Sequence, residues 1–102
     1  MTPLAETHEI IREFVAPYGL SLSDALSPRV SRRYAMVRQG AYAALRDAKP
    51  NLSFPFIGRV FNRDHTTILY GIRAHRARMA WIEFVTWAGN PDEQLSLFRE
   101  AA

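Results

Sequence analysis

The stretch SFPFIGRVFNRDHTTILYGI, from Ser53 to Ile72, decides the fold. Its apolar positions, Ile57, Val60, Phe61, Ile68, Leu69 and Ile72, recur at spacings of three and four on either side of a break. Two short helices can therefore share a core while their polar residues stay outside. Ser53 is a good capping residue, and Pro55 falls near a first helical position, where its missing N–H is not needed. The spacing predicts a short helix around Pro55 to Val60, a tight turn at Phe61-Asn62-Arg63, and a longer helix opened by Asp64. The order is helix, turn, helix.

The turn delivers Arg63, Asp64, His65, Thr66 and Thr67 to the N-terminus of the second helix, where unpaired amides and the helix dipole attract anions. These side chains suit nucleic acid. A histidine donates or accepts at a base edge, a threonine offers its hydroxyl to a phosphate and its methyl to thymine, and Arg63 suits a phosphate or a guanine. Asp64 has two readings: its carboxylate accepts from a cytosine amino group, or it caps the helix by accepting from the amide of Thr66 or Thr67, a contact worth about 1 kcal/mol.

Working outward, residues 5–18 place Ile10, Ile11, Phe14, Val15 and Tyr18 at helical spacing, with Pro17-Tyr18-Gly19 as the stop. Ser21 or Ser23 caps a short helix through Leu26, which Ser27-Pro28 ends. Ser31 caps a long helix from Arg32 to about Lys49, with Tyr34, Val37, Ala41, Leu45 and Ala48 as its inward stripe and Pro50-Asn51 as terminator. One edge of this helix carries Arg32, Arg33, Arg38 and Arg46. Downstream, the second helix of the pair continues past Met79 through Ile82 as far as Trp87. Beyond Gly89-Asn90-Pro91, Leu95, Leu97 and Phe98 suit a short terminal helix over residues 92–100. The expected fold class is all-α: a compact helical domain with a helix-turn-helix over residues 1–90, and a tail over 91–102.

The chain has 102 residues, 48% of them hydrophobic, enough for one domain with a modest core. It has no cysteine, and His8, His65 and His75 lack ligand spacing, so neither a disulfide framework nor a metal site is expected, and no cofactor is implied. No leader pattern opens the chain, and no apolar run approaches the roughly 18 residues a bilayer span needs. A cytoplasmic, nucleoid-associated protein is expected, with no membrane partner. The net charge is only +3, yet residues 28–78 hold ten Arg and one Lys against Asp47 and Asp64, while both flanks are acidic. Such asymmetry is what a polyanion-binding face produces. Twelve of the thirteen basic residues are Arg, whose guanidinium fork suits phosphates and base edges.

The string from Gly58 to Tyr70 (GRVFNRDHTTILY) resembles the signature of the C-terminal DNA-binding domain of DnaA, the bacterial replication initiator. Upstream, Ser27, Arg29, Ser31, Arg32, Ala35 and Arg38-Gln39 resemble that family's basic loop and following helix, so the likeness spans roughly residues 5–79. The resemblance implies an all-helical, TrpR-like helix-turn-helix domain binding double-stranded DNA. It implies that Asp64, His65 and Thr66 read base edges in the major groove, with Arg63 and Thr67 supporting them or contacting phosphates. Phe54 and Pro55 match the family's leucine-proline pair near the phosphate wall, Arg38 matches a basic-loop arginine, and Arg46 lies near a lysine position, one residue out of register. The resemblance gives Arg29 and Arg32 to the basic loop and following helix, and leaves Arg32 or Arg33 to stand in for a family arginine that this chain lacks.

Three departures stand out. Met36 occupies the place of an arginine that enters the minor groove in the family, and Asn62 replaces a glycine pair in the turn, which makes a turn one residue tighter. There is no GxxxxGK[ST] phosphate loop, so no nucleotide is expected to bind. The expected function is sequence-specific duplex binding that regulates replication initiation or transcription at sites like those of DnaA. The alternative is an interaction module, or a homodimer, built on Trp81, Phe84 and Trp87. An enzyme is not expected: Asp64, His65 and the threonines adjoin in sequence, and neighbours on a helix point in different directions.

Overall fold

A computed structural model describes residues 2–29 and 31–88, which form five α-helices and one 3₁₀ turn with no strand among them. Helix α1 spans Pro3–Val15 and starts two residues before the stretch 5–18 read from the sequence. The Thr2 hydroxyl accepts from the Ala5 amide at 3.1 Å, and Pro3 fills the first position, so cap and proline extend the helix. Its inner face buries Thr7, Ile11 and Val15, and the Thr7 hydroxyl donates to the Pro3 carbonyl at 2.7 Å, which satisfies the one polar group there.

The 3₁₀ turn Ala16–Tyr18 closes α1 at Gly19, whose φ of 75° only glycine adopts freely. Helix α2, Leu22–Leu26, opens on Ser21: its hydroxyl accepts from the Asp24 amide at 3.1 Å, while the Asp24 carboxylate accepts from the Ser21 amide at 2.9 Å. This reciprocal box selects Ser21 over Ser23. Helix α3, Arg32–Ala48, begins at the Ser31 cap as expected.

Val37, Ala41 and Leu45 of α3 face inward, whereas Ala48 is exposed. Helix α4, Phe54–Phe61, is capped by the Ser53 hydroxyl, which accepts from the Phe56 amide at 3.1 Å. Helix α5 runs from His65 to Ala88, 24 residues or roughly 36 Å. The region expected to form a terminal helix, 92–100, and the proposed tail lie outside the described residues.

The core gathers Ile11 and Val15 of α1, Leu45 of α3, Ile57 and Phe61 of α4, and Ile68 of α5, all at 2% exposure or less. Burying each large side chain contributes roughly 1.5–3 kcal/mol. Phe61 meets the Tyr42 ring edge-on with centroids 4.7 Å apart, which ties α4 to α3. At Gly71 a Cβ would stand 2.8 Å from the Tyr42 ring, so this glycine lets α5 close against α3. The start of α5 is therefore fixed from behind by α3 and α4, and its solvent-facing side is left open.

Candidate nucleic-acid interface

The turn between α4 and α5 is built by its own backbone. Asn62 sits at φ 54°, ψ 48°, the left-handed conformation that asparagine tolerates better than most residues. The Asn62 amide donates to the Arg59 carbonyl at 3.3 Å, and the Arg63 amide donates to the Gly58 carbonyl at 2.7 Å. This pair of bonds is a Schellman closure with the left-handed residue in its usual place. Gly58 is required by the same geometry, since a Cβ there would lie 2.5 Å from the Arg63 carbonyl oxygen. A single asparagine thus completes the turn.

The turn presents Asp64, His65, Thr66 and Thr67 to solvent, with Arg63 half-buried behind them. The first helical bond of α5 runs from the Ile68 amide to the Asp64 carbonyl, which places Asp64 at the cap. Its carboxylate accepts from the Thr66 hydroxyl at 2.6 Å rather than from the Thr66 or Thr67 amide, and His65 Nδ1 lies 3.1 Å away. The Thr66 hydroxyl, followed by the His65 imidazole and amide, holds the Asp64 carboxyl below its ordinary range. A charged acceptor, a donor-acceptor imidazole and two hydroxyls thus share one exposed helix start, which can address base edges and phosphates together.

The expected arginines divide between two places. Arg38 was expected on the exposed edge of α3, and the structure corrects this: it is 5% exposed. Its Nε donates to the Ala25 carbonyl at 3.1 Å, and its Nη2 donates to the Ser27 carbonyl at 2.9 Å and to the Arg29 carbonyl. Arg38 therefore pins the loop that carries Arg29, whose guanidinium lies 5.2 Å from the Tyr34 ring centroid. Burial first, and the nearby Arg63 charge second, lower the pKa of Arg38 from its ordinary value.

Arg46 is likewise occupied within the fold, donating to the Pro50 and Leu52 carbonyls with its guanidinium 4.6 Å from the Phe54 ring centroid. Pro55 is exposed and Phe54 half-buried beside it. Arg32 and Arg33 are exposed but line a different groove, with Phe14, Met36 and Met79. Arg33 donates there to the Tyr18 carbonyl at 2.7 Å. Met36 belongs to this apolar groove, on the side of α3 away from the reading turn.

A second groove, about 400 Å³ in volume, lies between α3 and the first half of α5 and is lined by Arg38, Gln39, Tyr42, Arg63, Thr67 and Tyr70 among others. Gln39 and Tyr70 fall in the strings that carry the family resemblance, but neither they nor Tyr42 were expected as site residues. On α5 the signal was present, because Arg63, Thr67, Tyr70 and Ala74 follow helical spacing along one face.

Five helices, a left-handed turn and an exposed polar helix start define a helix-turn-helix domain. The family described as the bacterial dnaA protein helix-turn-helix matches residues 7–74, and the chain belongs to that family. Relatives are chromosomal replication initiator proteins. The chain is 41% identical to the DnaA of Cereibacter sphaeroides over 73 residues, which is 71% of this chain and 16% of that protein. It is 42% identical to DnaA 1 of Chlamydia trachomatis over 65 residues, 64% of this chain and 14% of that one. The DnaA of Roseobacter denitrificans is 41% identical over 66 residues, again 64% and 14%. The matched residues thus span only about a seventh to a sixth of the length of these relatives. No solved structure matches it significantly. Among the described residues no helix is long and apolar enough to cross a membrane.

Proposed function

We propose that this chain is a double-stranded DNA-binding module that reads a short duplex site through Asp64, His65 and Thr66 and acts by occupying it. The sites are related to those of its replication-initiator relatives, and occupancy in the cytoplasm regulates replication initiation or transcription. One observation carries the reading: the first four residues from Asp64 onward are exposed at the start of a helix that is anchored beneath by Ile68 and Ile72. Preorganised donors and acceptors at such a position lose little freedom on docking. Arg63, Thr67 and Arg29 supply phosphate contacts beside the reading residues, while Arg32, Arg33, Phe54 and Pro55 are peripheral contacts. Arg38 and Arg46 act through the loops that they hold.

Binding to random and selected duplexes over a range of salt tests this. With about six phosphate contacts, log K falls with log salt at a slope near −5. The variant His65→Ala relaxes discrimination at one base pair by roughly 1–3 kcal/mol, whereas Arg29→Ala weakens every duplex alike. Failure to bind any duplex at low salt removes the reading. A second reading, an interaction module, draws on Trp81 and Phe84, which are 63% and 53% exposed. Concentration-dependent sedimentation separates it from the first.

A further inference from the structure

The groove that holds Met36, about 490 Å³ in volume, runs between α1, α3 and the later part of α5. Its wall is apolar, built from Phe14, Met36, Met79 and Ile82 with Tyr18 beside them. Much of that wall stands open, since Tyr18 is 49%, Met79 39% and Ile82 48% exposed. Arg32, Arg33 and Arg78 line the groove too, and no acidic residue does. Arg33 is committed to the Tyr18 carbonyl and Arg78 to the Gln39 side-chain oxygen. Arg32 is exposed and has no partner among the described residues. An apolar trough with an uncompensated basic edge suits an occupant that is apolar along one part and acidic at one end.

The groove also has a direction. Helices α3 and α5 run antiparallel, since a Cβ on Gly71 would meet Tyr42 and one on Gly40 would meet His75. The start of α3, with Arg32 and Arg33, therefore lies toward the Ile82 end of the groove. Helix α5 is described as far as Ala88, roughly 9 Å beyond Ile82. The sequence goes on with the turn signal Gly89-Asn90-Pro91 and then with Asp92-Glu93-Gln94-Leu95-Ser96-Leu97-Phe98. From Ala88 to Leu95 the chain can span up to roughly 25 Å, more than the roughly 14 Å of helix between Ala88 and Met79. A segment that turns back at Pro91 passes its two carboxylates by Arg32 and Arg33 first. Its leucines and phenylalanine follow, over Met36, Met79 and Phe14.

We propose that residues 92–98 of this chain occupy the groove, with Asp92 and Glu93 at Arg32 and Arg33, and Leu95, Leu97 and Phe98 on the apolar wall. The docked segment covers Met79 and Ile82. It leaves Trp81 and Phe84 open, because by helical spacing those rings fall on the other side of α5. The docking is independent of the duplex-binding reading.

The chain has no cysteine, so pairs of thiols can be introduced cleanly. Met79→Cys/Ser96→Cys and Phe84→Cys/Ser96→Cys are treated in dilute solution with a short bismaleimide, and mass separates links within a chain from links between chains. Met79 and Phe84 are both exposed, so neither change opens the core. An undocked segment reaches position 84, the nearer in sequence, at least as fast as position 79. A docked segment is expected to link to 79 about tenfold faster than to 84, through its higher effective concentration there. Adding Leu95→Asp/Leu97→Asp is expected to abolish that preference. Asp92→Lys/Glu93→Lys is expected to slow the link to 79 about threefold, the size of an exposed ion pair, and a further Arg32→Glu to recover most of the loss.

Equal rates at the two positions, or a preference for 84, overturn the proposal by leaving the groove to some other partner. A preference for 79 that survives the two aspartates overturns the apolar seat, and charge reversals without effect overturn the pairing with Arg32. Links formed chiefly between chains give the groove to a second copy and overturn the docking within one chain.

Discussion

The two ends of α5 carry similar apolar side chains and treat them in opposite ways. Near its start Ile68 and Ile72 are 0% and 5% exposed, while toward its end Trp81, Ile82, Phe84 and Val85 are all 47% exposed or more. The start is enclosed by α3 and α4 and is joined to a turn closed by the Asn62–Arg59 and Arg63–Gly58 backbone hydrogen bonds. The end has its three rings in a ladder on its own helix, with centroids 5.7 Å apart from Trp81 to Phe84 and 6.1 Å from Phe84 to Trp87. Fixing a reading element takes neighbours, and helical spacing alone does not provide them. The same periodicity produces a buried anchor where a second layer exists and an open surface where it does not.

The largest effect that this contrast predicts is at Phe61, which links α4 to Tyr42 on α3 and is 2% exposed. Phe61→Ala should destabilise the chain by roughly 3–5 kcal/mol, measured by urea unfolding. A cost below 1 kcal/mol would mean that α4 is not held as described. Gly58→Ala comes next, at about 1–3 kcal/mol, because the clash is with the Arg63 carbonyl in the backbone, and a backbone atom cannot swing aside as a side chain would. This variant should also lose discrimination between duplexes faster than it loses nonspecific affinity, because the displaced segment is Arg63 to Thr67.

Most of this first region was legible in the sequence, for identifiable reasons. Ser31 and Ser53 announce their helices because a capping hydroxyl precedes an apolar pattern, and Asn62 between two apolar runs marks the turn. Arg38 was misplaced. A periodic reading assigns each residue to the helix face that its own neighbours define, but Arg38 is buried by the end of α2 and the loop after it, where the carbonyls of Ala25, Ser27 and Arg29 have no sequence signal as acceptors. Arg46 was misread for the same reason, since it turns back to the carbonyls of the next loop. Charge composition located the basic half of the chain and could not say which cations were already committed within the fold.

Asn62 tests the turn on a finer scale. Its backbone is left-handed, so Asn62→Ala should cost about 1 kcal/mol, while Asn62→Gly should be close to neutral. Equal costs for the two substitutions would show that the asparagine side chain, and not its backbone conformation, matters at this position. At the other end of α5, Trp81→Ala and Phe84→Ala should each change stability by less than about 0.5 kcal/mol, as exposed positions do. A loss above 2 kcal/mol at either, growing with protein concentration, would break the contrast by showing that this end has a partner layer of its own.

The smallest effect is expected at His75, where α5 passes from one regime to the other. The imidazole is half-buried beside Gly40, near enough that a Cβ on that glycine would stand 3.2 Å from its Cε1. Burial first, and then the Arg78 charge, lower its pKa, opposed by Asp47 and assisted by Arg76. The sign follows from proton counting. In the unfolded chain this histidine takes up its proton near pH 6.5, and in the folded chain only at lower pH, so between the two values the unfolded state binds more protons. Stability therefore falls as the pH drops below about 6.5. It levels off once the folded-state histidine is protonated too. His75→Asn removes this dependence, and thermal unfolding of both proteins from pH 7.5 to 5.0 measures it as a difference in slope. If the two slopes coincide, His75 is as free as the aromatic end of the helix, and the boundary between the anchored and open parts of α5 lies before it, at Ile72.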